Sequence, residues 1–221
     1  MRYRPASVKH PWAIANTKNK GVETLSYFFE MSNGLGATGV WVKGTGIPNS
    51  APITVVLNDK GKKEAASRIS DLVNRGEQVL AVDLLFFGDA KPEKPGAEEY
   101  AHLLATIGER PIGIEAAQLI GIARWLQSPS EAPRIRLESV GIRSQVVALT
   151  ASALESNLFL ELSARGGMKT LRFLLDKPVP YEDAPDLFCL DLYKDFDLDR
   201  LAALASPTKV AQFELDKVSP R

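Results

Sequence analysis

Apolar positions along this chain recur with two periods, and the alternation between them predicts its layout. The runs ITVVL at 53–57 and QVLAVDLL at 78–85 are almost continuously apolar, the pattern of strands buried on both faces. Between them, Ala65, Ala66, Ile69, Leu72 and Val73 fall at helical spacing within 61–75, and Gly76 supplies the stop signal. Two such strands joined by a helix form a right-handed parallel unit. Ahead of it, ETLSYFFEM at 23–31 and ATGVWVK at 37–43 are rich in β-branched and aromatic residues around the SNGLG turn of 32–36, which predicts an antiparallel hairpin. Residues 1–20 are basic, contain proline and lack periodicity, so they are expected to form an arm or linker before one domain spanning 21–221.

After a loop at 86–96, helical patterns cover 97–107 and 114–127; in the second, Ile114, Gln118, Ile122 and Trp125 fall near one face. SPSEAP at 128–133 is a linker, 135–140 a short strand, 141–145 a sharp turn and 146–154 an apolar helix. The segment 157–164 alternates as a strand should, Gly166 and Gly167 are expected to break it, and 169–175 fits a helix or a strand equally well. Irregular chain at 178–185, short helices at 186–193 and 197–205, and a last strand at 209–215 complete the order. The whole predicts an α/β three-layer sandwich: a mostly parallel sheet covered on both faces, with an antiparallel hairpin at the N-terminal edge.

Composition narrows the partners. The 221 residues are 45% hydrophobic and 24% charged, with 27 basic and 27 acidic side chains, so no net field recruits nucleic acid or an anionic membrane. The single cysteine, Cys189, excludes an internal disulfide and reads as a packing residue in an apolar run. The chain shows neither a membrane-spanning apolar run nor a signal peptide, which implies a soluble protein and leaves its compartment open. No His/Cys/Asp cluster has metal-ligand spacing, and GLG at 34–36 and GTG at 44–46 are turns with no helix behind them, so no metal, phosphate or other cofactor is expected.

The ordered series resembles the acetyl xylan esterase branch of the α/β hydrolases, with dienelactone-hydrolase-like esterases behind it, over 21–216. GVET opens the hairpin, ITVVLNDKGK stands where that family has a strand ending in His-Gly, and VDLLFFGDA stands where it has a strand and glycine-containing loop. IGERPIGIEAAQLIGIARWL resembles the helix before the nucleophile turn, and DLDRLAALASPTKVAQFELD the approach to the strand bearing the triad acid. The segment 134–154 has the strand-turn-helix layout of a nucleophile elbow, whose usual pattern is G-x-S-x-G.

Position by position, the resemblance carries the fold further than the chemistry. Ester hydrolysis of this kind needs a serine nucleophile, a histidine to move its proton and a carboxylate to orient the histidine. Counted from Gly141, the nucleophile position holds Arg143, which stays protonated and cannot attack. Ser144 lies one place late, and it also suits the N-cap of the following helix. In this fold the histidine follows the acid, yet both histidines, His10 and His102, precede the elbow. Asp216 stands where the triad acid belongs, and also suits a strand-terminating turn. In the oxyanion region Asn58 and Asp59 replace the family's His-Gly, and a carboxylate facing the site would oppose developing negative charge.

Three functions stay open at this level. The first is a catalytically degenerate domain with a structural, binding or partner role, within a longer tandem protein or a homodimer, since a sheet lacking its last strand exposes an edge. The second is a working carboxylester hydrolase acting on a carbohydrate or small ester, with Ser144 as nucleophile, Asp216 as acid and His102 as base. In the third, an old pocket lined by Phe86, Phe87 and Arg143 holds a small ligand.

Overall fold

The computed structural model describes residues 2–127 and 135–214. The expected linker at 128–133 and Asp216 therefore lie outside the described residues. Eight strands form one sheet in the order β1-β2-β3-β5-β4-β6-β7-β8. They are β1 (Val8–Asn19), β2 (Val22–Met31), β3 (Gly36–Gly44), β4 (Ile53–Asn58), β5 (Gln78–Asp83), β6 (Ile135–Val140), β7 (Phe159–Gly167) and β8 (Lys209–Glu214). β1, β2, β3 and β5 pair antiparallel in succession, and β5, β4, β6, β7 and β8 pair parallel. This is the mostly parallel sheet with an antiparallel N-terminal edge that the sequence predicted.

The stretch read as an arm is instead an edge strand. β1 turns at Lys20 and Gly21 and pairs with β2 along its length. Its periodicity is hidden because almost every residue in it is exposed, so burial imposes no alternation.

Helices α1 (Ala66–Asn74), α2 (Ala97–Thr106), α3 (Pro111–Gln127) and α4 (Ile142–Leu154) follow the expected pattern. Beyond β7 come the one-turn helices α5 (Phe173–Asp176) and α6 (Leu190–Tyr193), then α7 (Leu198–Leu204). α1 ends at Asn74 with Arg75 as its C-cap and Gly76, at φ 82°, in the left-handed C′ position. It covers one face through Ile69, Leu72 and Val73 against Val56, Val79 and Ala81.

The main core lies on the other face. There α3 and α4 meet Val55, Leu57, Leu80, Val82, Leu137 and Leu162 of the sheet. α3 is buried on nearly every side, including Gln118, whose amide bridges the Leu85 N–H and the Gly36 carbonyl. Trp125 adds edge-to-face contacts with Tyr27, Phe29 and Trp41.

Two local departures have clear causes. Gly166 and Gly167 stay in β7, because pairing to β6 and β8 continues through Arg165 and Gly167. The predicted covering of both faces is incomplete over β6 and β7. There Arg136, Glu138, Glu161 and Arg165 face away from the core, and Arg68 makes a two-pronged contact to Glu138 at 2.6 and 2.7 Å. Cys189 is buried, as a packing residue should be.

Candidate functional site

In an open α/β sheet the crevice forms at the carboxyl ends of the strands where the chain reverses its winding direction. Here β5 lies on one side of β4 and β6 on the other, so that point is the carboxyl end of β4 and β6. The parallel register pairs Asn58 with Val140 and thereby sets the residues after each strand, Asp59 and Gly141, side by side. The Asp59 N–H donates to the Val140 carbonyl at 3.0 Å, and Gly141 N–H to that of Arg165 at 2.9 Å.

The elbow is tighter than the predicted five-residue turn. β6 ends at Val140 and α4 begins at Ile142, so Gly141 is the whole junction, with φ 109°. In a nucleophile elbow this strained residue between strand and helix presents the side chain to the site. A glycine presents none. A Cβ at 141 would collide with the Asp59 carboxyl group.

Asp59 occupies the space above the turn. Its two carboxylate oxygens accept from the Arg143 N–H at 3.1 Å and the Ser144 N–H at 2.7 Å. These are among the unpaired amides that open α4, where the helix dipole favours negative charge. A carboxylate 85 residues away in sequence thus caps the helix. Ser144 is not the N-cap: it lies in the first turn of α4, buried, its hydroxyl 3.4 Å from the Gly141 carbonyl to which it donates. Asn58 points elsewhere and accepts from the Lys60 N–H at 2.9 Å.

Arg143 turns inward rather than into a pocket. Its Nε lies 2.9 Å from both oxygens of Asp186, an Nη donates to the Phe86 carbonyl at 3.1 Å, and the guanidinium sits 4.5 Å over the Phe87 ring. With Phe86 and Phe87 themselves fully buried, the space these three residues were expected to line is filled.

Behind this pair lies Glu115 of α3, completely buried, with no hydrogen-bond partner on either carboxyl oxygen. Burial, then the neighbouring charge of Asp186, push its pKa well above the ordinary carboxylate range, and Arg143 offsets only part of this. Burial raises the pKa of Asp186 too, against the pull of Arg143. Burial would also weaken the Arg143 charge, but Asp186, Glu115 and Asp59 reverse that and hold its pKa above the usual value. Three carboxyl groups lie near one guanidinium, and Glu115, the one with no hydrogen-bond partner, is the one whose charged form burial disfavours most.

Neither histidine joins the elbow. His102 is exposed on α2 and stacks on Tyr181 with ring centroids 5.0 Å apart. His10 is exposed on β1, five strand spacings from β6, about 24 Å at 4.8 Å per strand. The structure thus brings together Asn58, Asp59, Gly141, Arg143 and Ser144 and leaves both imidazoles outside. Among the described residues no group of His, Cys, Asp or Glu is arranged to hold a metal, and no helix is long and apolar enough to cross a membrane.

Glu115 and Asp186 were missed from the sequence. The available signal was a lone acid in the apolar helix PIGIEAAQLIGIA, a position that burial would make costly. Lys62 was missed as well. It is buried, with its ammonium 2.6 Å from Asp83 and 2.8 Å from Asp89, and it ties the loop after β4 to the loop after β5.

No protein-family model and no curated protein matches the chain. Solved structures do. A Bacteroides fragilis protein assigned as an acetyl xylan esterase superposes with a TM-score of 0.73 at 13% identity, covering 92% of this chain and 62% of that one. Acetyl xylan esterase 1 from Thermoanaerobacterium sp. gives 0.65 at 12%, covering 97% and 84%, and that of Paenibacillus sp. gives 0.60 at 14%, covering 90% and 66%. The chain therefore has the α/β-hydrolase fold that these structures share, and it spans about three fifths of the Bacteroides protein.

Proposed function

We propose that this chain is a catalytically degenerate domain on the acetyl xylan esterase-like α/β-hydrolase fold, with a structural, binding or partner role beside another domain or subunit. The observation that carries this reading is the Asp59 carboxylate seated on the Arg143 and Ser144 amides above a junction that is glycine. In an ester hydrolase of this fold an amide at the start of the elbow helix stabilises the developing oxyanion. Here such an amide already serves a full negative charge, which would repel a second. The missing side chain at Gly141 and the two remote histidines support the same conclusion. Loss of a triad member alone costs about ten-thousand- to millionfold in turnover.

The test is a serine-directed fluorophosphonate probe and p-nitrophenyl acetate hydrolysis on the purified chain, beside a Ser144→Ala variant. Neither assay should rise above a heat-denatured control, and Ser144→Ala should change nothing. Labelling or turnover that disappears in Ser144→Ala would establish the serine enzyme instead.

A further inference from the structure

A cavity opens beyond β7, in the segment that carries Asp186. Between β7 and α7 the segment 168–197 lines an open cavity of about 700 Å³, within the ~300–1,000 Å³ typical of small-molecule sites. Leu174, Leu175, Val179, Leu187 and Phe188 form its walls with the Tyr193 ring. Leu175 is 80% exposed and Phe188 43% exposed, so two large apolar side chains stand in water at this concave surface.

The charged groups around the cavity have partners, whereas the buried Tyr193 hydroxyl has none. The Asp197 carboxylate accepts from the Leu171 and Leu198 N–H groups at 2.8 and 2.7 Å. Arg172 and Asp176 face each other at 3.9 Å, both largely solvated. The Tyr193 hydroxyl is buried without a hydrogen-bond partner, a single neutral polar group among apolar walls, and burial raises its pKa above the usual phenol value. Among the described lining residues each charged side chain has a counter-charge or N–H donors, and apolar contact is what these walls mainly supply.

We infer that this cavity binds a neutral, mainly hydrocarbon small molecule, such as an alkyl or aryl ester or alcohol, with its polar end at the solvent rim. The inference deepens the binding role proposed above and rests on that reading in one respect: the ligand is held, not hydrolysed. Leu187 directly follows Asp186, the partner of Arg143, so the pocket wall is anchored to the residues that close the elbow.

The experiment is a fluorescence titration of the purified chain with N-phenyl-1-naphthylamine, followed by displacement with decan-1-ol, p-nitrophenyl hexanoate and decanoate. Expected is saturable 1:1 binding, displaced by the alcohol and the ester and at least tenfold less well by the carboxylate. Val179→Trp, which fills the cavity, and Leu175→Asp, which charges an exposed position and leaves the core intact, should each weaken the dye about tenfold or more, equivalent to about 1.4 kcal/mol. Trp12→Ser, on the distant exposed hairpin, should not. Absence of saturable binding, binding unchanged in the Leu175→Asp variant, or equal displacement by decanoate would overturn the inference. Chromatography of the bound hexanoate separates the two proposals. Release of hexanoate would overturn the closed elbow and leave the pocket standing, whereas failure to bind would remove the pocket and leave the elbow reading intact.

Discussion

Replacing Glu115 with methionine should stabilise this protein, and increasingly so as pH rises. The site is fully buried, and both carboxyl oxygens lack partners. Methionine has a similar volume and no polar atom to desolvate, and the Arg143–Asp186 pair survives the change. Removing an unsatisfied buried polar group is worth about 1–3 kcal/mol even when it is neutral. The pH term adds to this, because the folded-state pKa of Glu115 lies well above its unfolded value. For a carboxyl raised in that direction, the native state keeps a proton that the unfolded chain releases. Wild-type stability is then fully present below about pH 4.3, the unfolded value, and declines as pH climbs toward the folded value. The slope is about 1.4 kcal/mol per pH unit over that window, and the methionine variant lacks it. Asp186 titrates in both proteins and largely cancels in the difference. Urea unfolding at half-unit steps from pH 4 to 8.5 measures the difference directly. The Glu115→Met advantage should be smallest near pH 4 and exceed about 2 kcal/mol by pH 7, a rise in Tm of roughly 4–8 °C for a chain of this size. A difference that stays flat between pH 5 and 7, or a variant less stable than wild type at pH 7, would refute the burial argument.

Other substitutions probe the supports of the elbow. Gly141→Ala adds a Cβ in collision with Asp59 at φ 109° and should cost about 2 kcal/mol or more, while Asp59→Ala should cost about 1–2 kcal/mol through the lost helix cap. In the double variant the collision is gone, so the summed cost should fall short of additivity by about 1 kcal/mol or more in denaturant unfolding; strict additivity would mean the two residues do not meet. Lys62→Met removes the cation beside the buried Asp83 carboxylate and leaves it only the Lys62 and Asp89 backbone N–H donors, which should cost about 3–5 kcal/mol in denaturant unfolding.

The fold was legible because burial writes itself into periodicity. ITVVL and QVLAVDLL are apolar on both faces because helices or close neighbours cover both sides of β4 and β5, and α1 and α3 carry helical spacing for the same reason. The failures fall where that link is weak. β1 is exposed along nearly its whole length and shows no alternation, so it reads as an arm. The elbow region looked like a five-residue turn because GIRSQ contains arginine, serine and glutamine, which read as loop. Arg143 and Ser144 nevertheless enter the helix, their amides capped by Asp59 and the guanidinium paired to Asp186.

What the sequence determined alone is therefore the order and kind of the elements from β2 to β7, the parallel sheet with its antiparallel edge, and the absence of a serine at the expected spacing. Those depend on local pattern and on residue identity. The tertiary structure decided which residue is the junction, what covers it and what lies beneath it. Those depend on strand register, which sets Asp59 against Gly141 across 82 residues, and on the burial of Glu115 and Asp186, which no spacing along the chain encodes. Electrostatic consequences follow from distance and dielectric in three dimensions, so the same glutamate that would be unremarked on a solvated helix becomes the most perturbed acid in the site.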